Sequence, residues 1–121
     1  MATLLVNTGK AIVTNRIKGA GTEPKNVAWG TGAGTTAATD TTLFTENGSR
    51  TAGTSTQQTT STTDDTYQVV GTLTAGSGIT VTNAGLFDDI SAGNLFVKGD
   101  FTGIALNTSD SIQFTIKTVF S

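Results

Sequence analysis

The chain has no cysteine and no histidine among its 121 residues. The missing cysteine excludes disulfides, thiolate nucleophiles and zinc–sulfur sites. The missing histidine removes the commonest general base and the commonest metal ligand of proteins. Together these absences exclude most classes of enzyme. We therefore expect a protein that is not an enzyme, with no catalytic residues, no metal site and no cofactor.

Charged residues are also scarce. They make up 13% of the chain, and 7 basic against 9 acidic residues give a net charge of −2. Such a chain has no extended positive field to attract nucleic acid or an anionic membrane surface. Its apolar runs are too short for a membrane span or a signal peptide. We expect no nucleic-acid partner, no membrane partner and folding in a cytoplasm.

Threonine and glycine dominate what is present. Threonine fills about a fifth of the positions, far above its ordinary share, beside 15 glycines and 1 proline. Because threonine is β-branched, this composition favours strands joined by tight turns over helices. Turn signals about every ten residues predict an all-β fold, an antiparallel β-sandwich with jelly-roll-like connections. The chain length suits one hydrophobic core.

The first 25 residues differ from the rest. Residues 4–18 predict one or two extended segments with a turn at Asn7-Thr8-Gly9, and residues 19–24 form a linker containing two glycines and the proline. Four of the seven basic residues lie in this part of the chain. We interpret residues 1–25 as an extended N-terminal arm and linker that orders on a partner. Residues 26–121 are then a single β-sandwich domain.

Several strands of that domain are visible in the sequence. Residues 50–63 are almost all threonine, serine and glutamine, which predicts a strand with little buried surface. A turn at Asp64-Asp65 would join it to a strand at residues 67–74 as an antiparallel hairpin. Residues 112–120 alternate most clearly and predict a core strand. The predicted core residues are Val69, Ile79, Val81, Leu86, Ile112, Phe114 and Ile116.

Three patterns that resemble functional sites have simpler interpretations. The adjacent acids Asp64-Asp65 and Asp88-Asp89 stand where turns are expected, so turn capping is favoured over acid–base chemistry or metal binding. The glycine-rich residues 30–34 lack the Lys-Ser/Thr ending of a phosphate-binding loop and favour a flexible connection. Trp29, Phe44 and Tyr67 could form a sugar-binding platform, although core positions are the more frequent role of such residues.

Two short motifs carry a resemblance to a known family. They are Trp29-Gly30-Thr31-Gly32 and Ala84-Gly85-Leu86-Phe87-Asp88. On these motifs the chain from residue 26 onward resembles small virion structural proteins of tailed bacteriophages, described as capsid decoration or cement proteins, head fibres, or tail-fibre and collar components. In such proteins an acidic residue often precedes the second motif, whereas this chain has Asn83.

The resemblance implies a structural virion protein. The expected function is that of a capsid cement or decoration protein, which binds the major capsid protein on the capsid exterior and stabilises the shell after assembly in the bacterial host cytoplasm. The chain ends directly after its predicted core strand, which favours a free-standing cement protein. The alternative is a tail-fibre, collar or baseplate component involved in host attachment or carbohydrate binding.

Self-association is expected as well. The predicted strand at residues 50–63 has too little apolar surface to be held by one core alone, and closed cyclic symmetry would cover its edge in every copy of a homotrimer. Basic and polar side chains of the arm and of this strand are the candidates for partner contacts. They are Lys10, Arg16, Lys18, Lys25, Arg50, Gln57 and Gln58.

Overall fold

The computed structural model of the protein describes residues 3–121, which form eight strands and one helix. The strands are β1 (Thr3–Leu5), β2 (Asn26–Gly30), β3 (Glu46–Ala52), β4 (Thr54–Gln58), β5 (Thr66–Thr74), β6 (Ile79–Phe87), β7 (Leu95–Leu106) and β8 (Ser111–Val119), and the helix is α1 (Asn7–Ile17). Antiparallel pairing gives sheet A, in the order β1-β7-β6-β2-β3, and sheet B, in the order β4-β5-β8. The predicted all-β antiparallel sandwich is confirmed, while its jelly-roll-like connectivity stays a prediction.

The main core lies between the two sheets. Trp29 of β2 is 2% exposed and meets Phe114 of β8 edge to face, with ring centroids 6.4 Å apart. Of the predicted core residues, Val69, Val81 and Leu86 are fully buried. The others are half-buried at the margin of this cluster, namely Ile79, Ile112, Phe114 and Ile116. The predicted core is therefore correct in position, and β8 lies at its edge.

A second, smaller cluster covers the outer face of sheet A. It contains Val6, Ala28, Leu43, Phe87 and Leu95. The pairing of β6 with β7 shifts register where Phe87 meets Leu95. An extra residue in one strand locally bends a sheet, as expected at such a shift. The connection between β2 and β3 supplies Leu43 and thereby covers this face without adding a strand.

Two buried polar side chains fix that connection. The Lys98 side chain is 1% exposed, and its Nζ lies 2.9 Å from Asp40 Oδ2. It also donates to the Thr42 carbonyl at 3.0 Å and lies 3.2 Å from the Phe44 ring centroid. Asn83 is fully buried, accepts a hydrogen bond from the Phe44 N–H and donates one to the Phe44 carbonyl, both at 3.0 Å. Each polar group is thus satisfied, as burial requires.

The two family-like motifs lie side by side on central strands. β2 pairs with β6 so that Trp29 is opposite Ala84, and the first motif continues from β2 into the connection. A Cβ atom at Gly30 would lie 2.3 Å from the Phe44 carbonyl oxygen, and one at Gly85 would lie 2.5 Å from the Val97 carbonyl oxygen. Both glycines are therefore required by close backbone packing. The motif residues build the fold.

The N-terminal segment differs from the prediction. Asn7-Thr8-Gly9, predicted as a turn, begins helix α1, and β1 pairs with β7. Val6 is fully buried, Ile12 is 6% exposed, and a Cβ at Gly9 would lie only 2.1 Å from the Phe96 carbonyl oxygen. The extended conformation predicted for residues 4–18 is found at Leu4 and Leu5 of β1 but is wrong for residues 7–17, because docking on β7 stabilises a helix there. A separate arm is not confirmed, and the domain boundary at residue 25 stays a prediction. The first two residues of the predicted arm lie outside the described residues.

The threonine-rich segment also differs in one respect. It is divided between β3 of sheet A and β4 of sheet B, with Gly53 between them. A Cβ at Gly53 would lie 2.5 Å from Val69 Cγ1, so the absence of a side chain lets the chain pass between the sheets. The predicted hairpin is confirmed, since β4 pairs with β5 from Thr54↔Val70 to Gln58↔Thr66. The segment closes one side of the sandwich.

Candidate interaction surface

Arg50 of β3 organises a neighbouring loop. Its Nε lies 2.8 Å from Glu46 Oε2, and its guanidinium stacks 3.5 Å from the Phe87 ring centroid. Nη1 donates to the carbonyl oxygens of Asp89 at 3.0 Å and Ala92 at 2.5 Å. The side chain is 8% exposed. Arg50 was predicted to contact a partner; the structure places its guanidinium in contacts within its own chain.

We call residues 88–94, between β6 and β7, the Ile90 loop. Asp88 Oδ1 accepts a hydrogen bond from the Asn94 N–H at 2.6 Å, which is the turn-capping role predicted for this acid. Ala92 and Gly93 have φ angles of 53° and 71°, so two consecutive residues are left-handed. With the Arg50 contacts these features fix the loop. It presents Ile90, which is 52% exposed, beside the exposed Asp89.

An apolar groove lies beside the C-terminal half of α1, and we call it the α1 groove. It encloses about 310 Å³. Its floor includes Tyr67 and Phe96, whose rings meet edge to face at 5.9 Å. Ile17 and Phe120 line it and are 80% and 45% exposed. An exposed apolar groove of this kind is a candidate contact surface for another protein.

The predicted basic residues of the N-terminal segment are all exposed. They are Lys10, Arg16, Lys18 and Lys25. Across residues 3–121 the two ion pairs are Arg50–Glu46 and Lys98–Asp40, so these four cations are not in ion pairs there. Arg16 and Lys18 line a cleft of about 510 Å³ together with Asp88. Arg16 also lines the α1 groove, so the cleft separates the groove from the Ile90 loop.

The acids nearest the α1 groove have partners within the chain. Glu23 accepts hydrogen bonds from Ser55 Oγ and, at 3.3 Å, from Tyr67 Oη. Burial, and after it the charge of Glu23, raises the pKa of the Tyr67 hydroxyl above its ordinary value. Asp65 accepts hydrogen bonds from the N–H groups of residues 60–62, led by that of Thr62, which hold its pKa well below the usual range. This is again the predicted turn-capping role.

The strand edges of sheet B form a second surface. Gln57 and Gln58 are exposed on the edge strand β4, which in the described part of the chain pairs with β5 alone. β8 is the opposite edge and is bonded to β5 along all its residues. Strand β7 of sheet A lies next to β8 and extends past the residues that pair with β1. Ile104, in the part of β7 that β1 does not cover, is 42% exposed. Gln57 lines a pocket with Glu23, Tyr67 and Phe120, which also line the α1 groove beside Arg16.

The three aromatic residues considered as a sugar platform lie apart. Trp29 is buried against Phe114, Tyr67 packs on Phe96, and Phe44 lies over the Lys98 ammonium. Each of the three rings packs against a different partner. The structure therefore does not bring these residues together as an exposed platform.

Residues 3–121 hold no group of three or more acidic, histidine or cysteine side chains that could bind a metal ion. Helix α1, the helix that the described residues contain, is too short to cross a membrane. What the two surfaces offer chemically is non-covalent contact: apolar side chains, cations outside ion pairs and open strand edges. Compared with known proteins, the chain matches no family model, no curated protein and no solved structure.

Proposed function

We propose that the protein is a structural component of a tailed-phage virion, a capsid cement protein that binds the major capsid protein on the outer surface and stabilises the shell. The observation that supports this most is the open edge of β8, beside exposed apolar side chains of β7. The resemblance carried by the Trp29-Gly30-Thr31-Gly32 and Ala84-Gly85-Leu86-Phe87-Asp88 motifs supports the virion assignment.

The β8 edge suits the addition of a strand from another protein. Its nine residues pair with β5 from Ser111↔Thr74 to Val119↔Thr66, and within residues 3–121 its other edge has no strand partner. Natural sheets protect such edges with charges, prolines or bulges. β8 has one charged residue, Lys117, and no proline. An extended segment of a neighbouring capsid protein could therefore pair with it through main-chain hydrogen bonds.

A groove beside β8 would give that segment a side-chain contact. It encloses about 210 Å³ between β7 and β8 and is lined partly by Phe101, Phe114 and Ile116. Phe101 and Phe114 have ring centroids 6.3 Å apart. An apolar side chain on the added strand would bury these half-exposed rings. Main-chain pairing gives affinity in such a contact, and the groove gives specificity.

The homotrimer expected from the sequence belongs to this proposal. β4 is an edge strand of five uncharged residues, and Gln57 and Gln58 are exposed on it. Cyclic symmetry would cover this edge in each of three copies. Binding of the folded, assembled form to the shell would stabilise both by mass action.

The test is to add the purified protein to particles that lack it. Many copies should bind per shell, and the temperature at which heated particles release their genome should rise. Ile104→Lys and Thr115→Lys place a charge on the exposed side chains of the β7–β8 edge and should abolish binding without changing the melting temperature of the protein. Ser49→Lys adds the same charge on β3, at the opposite side of the sandwich, and should bind normally.

A few bound copies per particle with no change in the release temperature would contradict the cement function. That outcome would favour the tail-fibre, collar or baseplate alternative. Normal binding of the Ile104→Lys and Thr115→Lys variants would show that the β8 edge is not the contact.

A further inference from the structure

We infer that two copies of this chain bind each other, with Ile90 of each copy seated in the α1 groove of the other. The contact is reciprocal and needs no other protein. It therefore goes beyond the proposed function and is separate from the β4 contact proposed for a trimer. Three observations carry it: a rigid loop with an exposed apolar tip, a groove for that tip, and opposite charges beside each.

The Ile90 loop is preorganised for binding. Arg50 donates to two of its carbonyl oxygens, and Asp88 accepts from the Asn94 N–H, so the backbone is held on both sides of Ile90. A loop that is already ordered loses little conformational entropy when it binds. Such strong fixation of a loop whose apolar tip stays 52% exposed is expected where the tip makes a contact outside its own fold.

The α1 groove fits an aliphatic tip. Its volume of about 310 Å³ equals roughly ten water molecules, which is ample for one branched side chain. Val13, Pro24 and Phe96 line it, and Ile17 and Phe120 stand at its exposed margin. Seating Ile90 there would remove three exposed apolar side chains from water at once.

The charges next to the two parts are complementary. Asp89 is exposed beside Ile90, whereas Arg16 lines the groove and Lys18 lines the adjoining cleft; neither cation forms an ion pair with residues 3–121. Glu23, the acid that lines the groove, is already hydrogen-bonded within the chain. An apolar residue next to an exposed acid is the chemistry this surface favours, and Asp89 and Ile90 of the chain itself supply it.

Both parts lie at one end of the molecule. Thr22 Oγ1, next to the groove, donates to the Asp88 carbonyl at 2.5 Å, and Arg16 lines both the groove and the cleft that contains Asp88. When a projection and its complementary groove are neighbours on one surface, a two-fold axis between them lets both contacts form together. A reciprocal dimer is the result.

The first experiment uses the absence of cysteine to place one spin label. The Ser91→Cys variant, made with nitrogen-14, carries the spin label on the Ile90 loop. It is mixed with nitrogen-15 protein that carries no spin label. The observed amide signals then broaden only through contacts between copies. Signals of Ile17 and Phe120 should broaden. A label at Ser77→Cys, in the exposed turn at the far end of β6, should leave them sharp. Broadening confined to other residues would overturn the proposal.

The second experiment measures the dimer dissociation constant by sedimentation equilibrium. Ile90→Ala should raise it about 100-fold, since the reciprocal dimer loses two buried aliphatic side chains, each worth about 10-fold. Ile104→Ala, the same change at an exposed site on β7, should stay within about 2-fold. Asp89→Lys should weaken the dimer, and adding Lys18→Glu should restore most of the loss.

A chain that stays monomeric up to about millimolar concentration, or equal effects of Ile90→Ala and Ile104→Ala, would overturn the proposal. Both experiments use the purified protein alone, without phage particles. Their failure would therefore leave capsid binding untouched, and failure of capsid binding would leave the dimer untouched.

Discussion

The two faces of sheet A are covered in different ways. The inner face packs on sheet B, and side chains such as Trp29 and Leu86 fill the space between them without buried charge. The outer face is covered largely by the connection between β2 and β3, which is held by Lys98 and Asn83. A sheet positions its side chains through its backbone ladder, whereas a covering loop has no ladder. Specific buried hydrogen bonds supply the positioning that the loop lacks.

Removing the largest inner side chain should have the largest effect. Trp29→Ala leaves a cavity between the sheets and should lower the free energy of unfolding by about 3 to 5 kcal/mol, measured by urea denaturation. Ile104→Ala, at a half-exposed position of β7, is the control and should change it by about 1 kcal/mol or less. Equal effects of the two variants would show that the inner face is not the main core.

Breaking the polar contact of the outer face should cost less. Asp40→Ala leaves the buried Lys98 ammonium without its carboxylate and should lower the free energy of unfolding by about 2 kcal/mol. This is below the cost for a fully buried pair, because the Asp40 side chain is 21% exposed and the Thr42 carbonyl and Phe44 ring remain.

The double variant Asp40→Ala with Lys98→Met separates the two origins of this cost. It removes both charges and should be more stable than Asp40→Ala alone, since an unpaired buried charge is worse than none. If the double variant were less stable than the single one, the Lys98 stem and its ring contact would matter more than its charge.

Acid should weaken the loops and spare the inner core, with the smallest effect of the three. The Ala37 N–H, and after it Lys98, lowers the pKa of Asp40, and backbone N–H groups led by that of Thr62 lower the pKa of Asp65. A carboxyl group whose pKa is lowered by folding stabilises the fold above its unfolded value of about 3.9, and the stabilisation is lost as pH falls further. The melting temperature should therefore be flat from pH 7 to about 5 and fall below about pH 4.

Asp65→Asn should reduce that acid sensitivity. The variant lacks one of the carboxylates with a lowered pKa, so its melting temperature should depend less on pH below about 4 than that of the parent chain. An unchanged pH profile would mean that the hydrogen bonds of this turn contribute little to stability.

The strands were predictable because their signal is local. β5, β6 and β8 alternate apolar and polar side chains, and the composition of residues 50–63 allowed little except strand. Helix α1 was not predictable in this way. Its sequence contains Gly9 and several β-branched residues, and its N-terminus has no side-chain cap. It forms because Ile12 and Gly9 pack against the sheet.

The candidate surfaces were predicted less well than the fold. The exposed position of Arg16 and Lys18 followed from charge, but the internal role of Arg50 did not, since its carbonyl partners lie about forty residues away. Ile90 and Ile17 were missed because the exposure of an apolar side chain depends on how distant parts of the chain pack together. One signal was present for Ile90: a single large apolar residue between two acids and a run of turn-forming residues.

The contacts of Arg50 also link the edge of the sheet to the shape of the loop. The side chain that anchors the Ile90 loop belongs to β3, an edge strand paired with β2 from Asn26↔Ala52 to Gly30↔Glu46. If β3 separates from β2, Arg50 leaves Phe87 and the loop loses its anchor. A chain with a frayed margin thus displays no ordered tip for a neighbour to bind. In the proposed dimer, only copies whose outermost strand has formed would carry the ordered loop that the contact requires.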